Sequence, residues 1–552
     1  MTTKRSARSG RCWWRGHRRN PAGLLGAVLT LALVAAACGS GGSGDDTAGG
    51  DGAAAEGPGT SISAPEAEGD PVTGGTATVI HQANPSSLDP VTGGSGGDHV
   101  SLYPMYDRLI NFEPATLEAL PGLATAWDYP DPQTLVLTLQ EGVTFHDGTP
   151  FDAAAVVTNL ERALSDDGST VKADVSMIES VEATGDLEVT IHMNRDDASL
   201  LLILADRPGM MVSPAAIETH GDDLSRNPVG TGPFKFVEWL PNDRLVMEKN
   251  PDYWQDGLPY LDGLTFRYIN DQQTAVNALL AGEADLELRV SPTDVENLEA
   301  NPSLVVVQNP SLFTDLCYFN FSRPPFDNPD ARAAAAYAIN RDALNQLYVF
   351  GTAVPANEIY PPGYWAHSDA REGYFTFDQD KARQLLADAG FGDGVTITAV
   401  AYDAAGQARK NEIIQAQLGE VGIDMTFELM EVGAATSTFF EDLTYDLYCA
   451  AWTGRPDPSQ TALSVFGADA FYNAGHYGAP GMAEALDAAG ASTDQDERAA
   501  AFEDVLRISQ EDALVLPLIH QADIIAYYPR IGGVTPNLYG KPDLSFIWNQ
   551  EG

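Results

Sequence analysis

Between residues 378 and 452 the hydrophobic period of the chain switches repeatedly, and few architectures accommodate such switching. Asp378 can cap a helix that Gly390 closes, residues 395–402 alternate as a strand, and 407–421 read as a helix stopped by Gly422. A strand at 423–432, a short helix at 435–443 and a third strand at 445–452 complete the pattern. Strands joined by helices at this spacing require crossover connections, which are right-handed and give a parallel sheet. The expected fold class is therefore α/β. In an open parallel sheet a ligand lies beyond the carboxyl ends of the strands. Trp452 ends one of these strands, and residues 453–458 form the loop beyond it. Trp452 offers a flat apolar face and Arg455 a forked set of donors, while Asp457 offers either an acceptor or a cap for the helix from Thr461 onward.

A second constraint lies at residues 227–239. Pro228 and Pro233 exclude helix there, and Gly230 and Gly232 permit positive φ where the chain turns. The alternation from Phe234 to Trp239 then predicts a strand. Gly-Thr-Gly beside Lys235 is no phosphate loop, because G-x-x-x-x-G-K-[ST] is absent and no helical pattern follows. Elsewhere, strands are expected at 75–82, 134–140 and 264–269, and a helix with Tyr103, Tyr106 and Leu109 at 99–110. Helix caps are expected at Asp152 and Asp271. His146 and Asp147 read as turn chemistry beside Gly148, since no nucleophile signature adjoins them.

The stretch Pro228-Val229-Gly230-Thr231-Gly232-Pro233 resembles a signature of the solute-binding proteins of bacterial ABC importers, family 5, the peptide, nickel and opine class. Other stretches agree in the family's order. They are Phe145-His146-Asp147-Gly148-Thr149-Pro150-Phe151, Asn250-Pro251-Asp252-Tyr253-Trp254 and Ala281-Gly282-Glu283-Ala284-Asp285. Pro325-Phe326-Asp327-Asn328 leads on to Arg332 and Ala338-Ile339-Asn340-Arg341, and Tyr445-Asp446 leads to Trp452 and Asp457-Pro458.

The resemblance implies a two-lobed periplasmic-binding-protein type II fold with an inserted subdomain in the first lobe and a hinge between lobes. Its expected parts are a first lobe at 76–310 with the insertion at about 98–215, a second lobe at 311–513, and a return segment at 514–552. It also implies ligand contacts from Trp452, Arg455, Asp457, Phe313, Thr314 and Trp365. The well-known peptide binders of this family place an Asp two or three residues after the corresponding Trp, where it receives the peptide's amino group. Here Arg455 stands near that place, and a cation cannot receive an ammonium. Ligands bearing a carboxylate, phosphate or other anion therefore stand beside peptides. The implied partners are a solute or oligopeptide, a membrane permease with its ATPase, and the membrane itself through a lipid. The protein is expected to be a monomer with no cofactor and no enzymatic activity.

The first 37 residues read as a signal peptide. Lys4, Arg5, Arg8, Arg11, Arg15, Arg18 and Arg19 precede an apolar run that ends in Ala35-Ala36-Ala37-Cys38. Small residues directly before a cysteine resemble the lipobox of bacterial lipoproteins, in which Cys38 would be acylated and become the mature terminus. Residues 38–75 are Gly, Ser, Ala, Asp and Glu with hardly a large apolar side chain, a disordered tether. As a coil it would reach roughly 30 to 36 Å. Removing the seven leader cations takes the formal charge from −47 to about −54, which leaves no basic stripe for nucleic acid. Cys317 and Cys449 lie in expected strands, where buried free thiols are the default and a bridge is the alternative.

Two other functions are tested by the sequence. A secreted hydrolase would need a nucleophile or metal motif; H-E-x-x-H does not occur, and G-x-S-x-G is matched only by the glycine run Gly93-Gly94-Ser95-Gly96-Gly97, which no strand pattern leads into. A surface adhesin would bring repeats or Asp-rich calcium loops, which are also absent. Within the binding class a nickel ion or metal chelate is the alternative ligand. His476 lies only 21 residues beyond Arg455 and, as a lone histidine, reads as structural.

Overall fold

The computed structural model describes residues 69–93, 96–404 and 406–551. The leader, Cys38 and most of the tether lie outside these residues. The end of the expected tether is already part of the body: Gly74 N–H donates to Tyr260 O, and Gly75 O accepts from Asp262 N–H.

One eleven-stranded sheet runs through the protein, and two long strands cross its middle. These are β-strands Val305–Phe319 and Val515–Tyr527, paired antiparallel along most of their length. On one side, strand Leu286–Leu288 pairs with Val515–Tyr527, and strand Thr76–His81 lies parallel between Leu286–Leu288 and Gly263–Tyr268. On the other side, strand Leu447–Trp452 pairs with Val305–Phe319, and strands Val395–Tyr402, Ile423–Met430 and Leu447–Trp452 run parallel to one another. The crossovers expected between 395 and 452 are thus present, through helices Gln407–Gly419 and Val432–Phe440.

The register fixes where the two parallel groups point. Leu286–Leu288 runs from the partner Tyr527 towards Ile525, and Leu447–Trp452 runs from the partner Phe319 towards Thr314. Both groups therefore end at the same place, where the ladder of the crossing strands shifts register between Pro310 and Thr314. Pro310 cannot donate to a ladder, so an irregularity is where it is tolerated. The apolar cores divide accordingly. Val79, Phe266, Leu286 and Ile525 pack on one side of the break, and Ile397, Ala399, Leu447 and Leu516 on the other.

A separate antiparallel sheet of four strands, Ala124–Asp131, Thr134–Leu139, Glu188–Met193 and Ile178–Gly185 in spatial order, carries helix Ala153–Ser165. Asp152 caps that helix through Ala155 N–H, and Asp271 caps Gln272–Leu280 through Thr274 N–H, both as expected.

Several expectations need correction. The helix expected over 99–110 spans only Asp98–Leu102, because Pro104 has no N–H to extend the ladder, and residues Ile110–Phe112 form a strand. The expected return segment opens with one continuous strand, Val515–Tyr527, and strand Val305–Phe319 runs across the expected start of the second lobe at 311. A shifted register bends these strands without ending them. Cys317 and Cys449 are register partners on adjacent strands, and they are joined as a disulfide rather than left as thiols.

The turn at 227–239 holds for a different reason from the one expected. Neither Gly230 nor Gly232 takes a left-handed φ. What requires glycine is close approach: a Cβ on Gly230 would stand 2.1 Å from Met105 O, and one on Gly232 2.5 Å from the Met105 carbonyl carbon. Gly232 N–H donates to Met105 O, and Gly230 O accepts from His146 N–H. His146 Nε2 lies 2.9 Å from Gly232 O, and Asp147 accepts from Ser213 Oγ, so both side chains serve this junction.

Candidate functional site

At the break in the crossing strands lies a cleft of about 780 Å³. Several of its contributors stand at the ends of elements or in the loops just beyond them. Arg289 follows strand Leu286–Leu288, Trp452 ends its strand with Thr453 and Arg455 beyond it, and Tyr402 ends Val395–Tyr402. Phe313, Gln521 and Asp523 come from the break itself, and Gln407 opens helix Gln407–Gly419. Tyr318, Tyr402, Tyr448, Trp452 and Tyr472 make the second-lobe wall largely aromatic.

Among the described residues, two arginines and one carboxylic acid line this space. Asp523 is 2% exposed, and neither carboxylate oxygen finds a hydrogen-bond partner among the described residues. Burial pushes its pKa up to about 6, with Arg289 pulling the other way. Arg289 takes φ 56°, a left-handed conformation uncommon for a residue with a side chain, and its guanidinium lies 4.4 Å over the Phe313 ring. Arg455 lies 5.4 Å over the Trp452 ring and donates to the carbonyl of Gly454 at 2.8 Å. It has no ion-pair partner among the described residues. Burial works against its charge, but the phenol of Tyr539 and the carboxylates of Asp174 and Asp206 outweigh burial and raise its pKa. The cleft thus offers an unmet acceptor at the strand break and a largely unused forked donor on the opposite wall.

Of the residues expected from the sequence, Trp452, Arg455 and Phe313 line the cleft. Three others do not. Asp457 is fully buried away from it, capping helix Pro458–Phe466 through Ser459 N–H and holding Arg498 in a two-pronged ion pair at 2.7 and 2.8 Å. Thr314 is fully buried, and its hydroxyl is taken by His520 Nδ1 and the Ile359 carbonyl. Trp365 borders a different cavity of about 360 Å³, with Trp127 and Tyr129, and Arg498 covers its ring. Each of these three already has its contacts within the protein. The imidazole of His476 lies 3.3 Å from the carbonyl of Ala468, and among the described residues no histidine lines the cleft. Sequence reasoning missed Arg289 and Asp523. The signal for Asp523 was available, since it is the one acid in strand Val515–Tyr527.

Comparison with known proteins settles the class. The family model for bacterial extracellular solute-binding proteins, family 5 Middle, matches residues 118–473. The chain belongs to family 5 of the bacterial extracellular solute-binding proteins. A relative in Pectobacterium atrosepticum, the glutathione-binding protein GsiB, is 31% identical over 473 residues, covering 84% of this chain and 91% of its own. A GsiB of Salmonella typhi is 30% identical over 430 residues, covering 76% and 83%. Among solved structures, DppA of Helicobacter pylori in complex with the peptide STSA superposes with a TM-score of 0.76 at 27% identity, covering 87% of this chain and 99% of that one. AgaA of A. tumefaciens R10 in complex with agropinic acid gives 0.73 at 25% identity, with 85% and 97% covered. The chain shares the two-lobed periplasmic-binding-protein type II fold with these neighbours, and the relatives are named as binding proteins. No helix among the described residues is long and apolar enough to cross a membrane.

Proposed function

We propose that this family 5 protein is the substrate-binding lipoprotein of an ABC importer, and that its solute is a small peptide or peptide-like molecule carrying both an amine and an anionic group. The observation that carries this reading is Asp523, a buried carboxylate in the cleft with both oxygens unmet. Leaving such a group without a partner is costly, and an ammonium on the ligand would meet it. Arg455 supplies the complementary end for a carboxylate. In the peptide binders that this sequence resembles, the amine is received beside the Trp; here the acceptor has moved to the strand break and a cation stands beside the Trp. The names of the relatives support the reading, because glutathione and the peptide STSA both carry an amine and carboxylate. A nickel ion receives no support from the described lining residues, which offer it no imidazole, so a metal would have to arrive already chelated.

The lobes close by bending at the shifted register of the crossing strands, and affinity reflects the difference between open and closed contacts. Cys38 is the acylated terminus that holds the body at the membrane, for delivery to a permease. Two or more acyl chains make such attachment durable. Cys38→Ser should release the protein from the membrane fraction; full retention, with no acyl mass on the wild type, would refute the anchor.

The ligand is tested by mass spectrometry of the solute released on denaturing natively purified protein, followed by calorimetry with that solute. Arg455→Ala should weaken binding by about 2 to 5 kcal/mol, the cost of removing one partner of a desolvated charge pair. Arg455→Asp should abolish it. Unchanged affinity in both variants would place the anionic group elsewhere, and a released solute with no amine would refute the role of Asp523.

A further inference from the structure

We propose a divalent transition-metal site, separate from the cleft, made by His367, Asp369 and Glu372, with Zn²⁺ as the best-fitting ion. The imidazole is fixed by its neighbours. Its Nδ1 meets two acceptors, the Glu358 carboxylate and the Tyr360 carbonyl at 3.1 Å, so Nδ1 carries the proton in the neutral ring. Glu358 is itself buried and held by Ser368 N–H at 3.0 Å. The bare lone pair is then on Nε2. The His367 side chain is 5% exposed, and Nε2 is buried with no hydrogen-bond partner among the described residues.

Nε2 points at two carboxylates, with Asp369 Oδ1 at 3.5 Å and Glu372 Oε1 at 3.4 Å. All three atoms lie within 4.8 Å of one another. The local backbone produces the pair: residues Asp369–Arg371 form a 3₁₀ turn, in which side chains three apart stand on the same side. The spacing is informative. A direct hydrogen bond would draw nitrogen and oxygen to about 2.9 Å. Two ligand atoms each about 2.1 Å from a tetrahedral zinc stand roughly 3.4 Å apart. One imidazole and two carboxylates balance a dication, and a carboxylate on the far nitrogen of the ring is the usual orienting partner of a metal-bound histidine. Both ligand carboxylates are exposed, which leaves a path for entry and a position for water.

The loop between the site and the cleft gives the metal something to hold. Tyr360 donates its hydroxyl to Pro458 O and Tyr364 to Pro456 O, on either side of Asp457 and next to Arg455. A metal at residues 367–372 would stiffen the support of that cleft wall without touching the ligand.

The test is calorimetric titration of Zn²⁺ into the intact chelator-treated protein, alongside His367→Asn, Glu372→Gln and Glu358→Gln. The wild type should show one site that His367→Asn removes, with Glu358→Gln weakening it about ten- to a hundredfold. Glu372 is exposed, so Glu372→Gln should keep the wild-type melting curve without metal while losing most of the affinity. Co²⁺ bound to the wild type should give the visible absorption of a tetrahedral site, absent in His367→Asn. Equal Zn²⁺ binding by wild type, His367→Asn and Glu372→Gln would show only adsorption on the acidic surface. Equal binding, or none by wild type, would overturn the site in favour of an imidazolium held among carboxylates.

Discussion

Asp523→Asn should make the ligand-free protein more stable while costing it most of its affinity for an amine-bearing solute. The two effects share one cause. Burial raises the carboxyl from its ordinary 3.8 to about 6, although Arg289 favours the charged form. Ionising it at neutral pH therefore costs the folded state about 3 kcal/mol relative to the unfolded chain. Asn resembles the protonated acid and avoids that cost. The sign follows from proton binding: between pH 4 and 6 the folded state holds a proton that the unfolded state has released, so this group's contribution to stability falls as pH rises. Denaturation of wild type and variant from pH 4 to 8 should show near-equal stability at pH 4 and a gap in favour of Asn that opens through pH 6 and then levels. Calorimetry with the native solute should show a loss of about 2 to 5 kcal/mol. Wild-type affinity should itself weaken as pH falls below about 6, since a protonated Asp523 cannot pair with ammonium. A variant that binds as tightly as wild type would remove Asp523 from the site. A variant with unchanged affinity but higher stability would leave a buried acid that serves the fold alone.

How far the sequence shows these features depends on the range of the interactions behind them. The crossovers from 378 to 452 are local patterns of period and capping, and they fold where the pattern puts them. Trp452 and Arg455 could be placed because a strand end is a local fact and its position relative to a sheet follows from a general rule. The cleft's other wall is not local. Arg289 and Asp523 meet only because strand Leu286–Leu288 pairs with the return strand Val515–Tyr527, and no short pattern encodes that pairing. Asp457 shows the opposite failure. Its proline-flanked position fits both a ligand loop and a helix cap; the cap is what the structure has, and its other partner, Arg498, comes from a helix far along the chain. The glycines at 230 and 232 were identified correctly as constrained but for the wrong reason, since the approach of the Met105 backbone is a tertiary contact.

Lys410→Met should destabilise the protein by about 3 to 5 kcal/mol, because it strands a buried carboxylate. Lys410 Nζ lies 2.6 Å from Asp315 Oδ1, and both side chains are fully buried. The other oxygen of Asp315 accepts from Gln521 Nε2 at 2.6 Å, which ties together helix Gln407–Gly419 and the two crossing strands beside their break. Breaking a buried pair costs more than the pair is worth, since the remaining charge keeps its desolvation penalty and loses its compensation. The double variant Lys410→Met/Asp315→Asn should therefore recover most of the loss, as the Asn oxygen still accepts from Gln521 and no lone charge remains. Urea denaturation of wild type, both single variants and the double variant gives the coupling directly. A Lys410→Met midpoint equal to wild type would mean that this ion pair does not support the fold. A double variant no more stable than Lys410→Met would mean that the lysine's packing against the Tyr348 ring, rather than its charge, is what this junction needs.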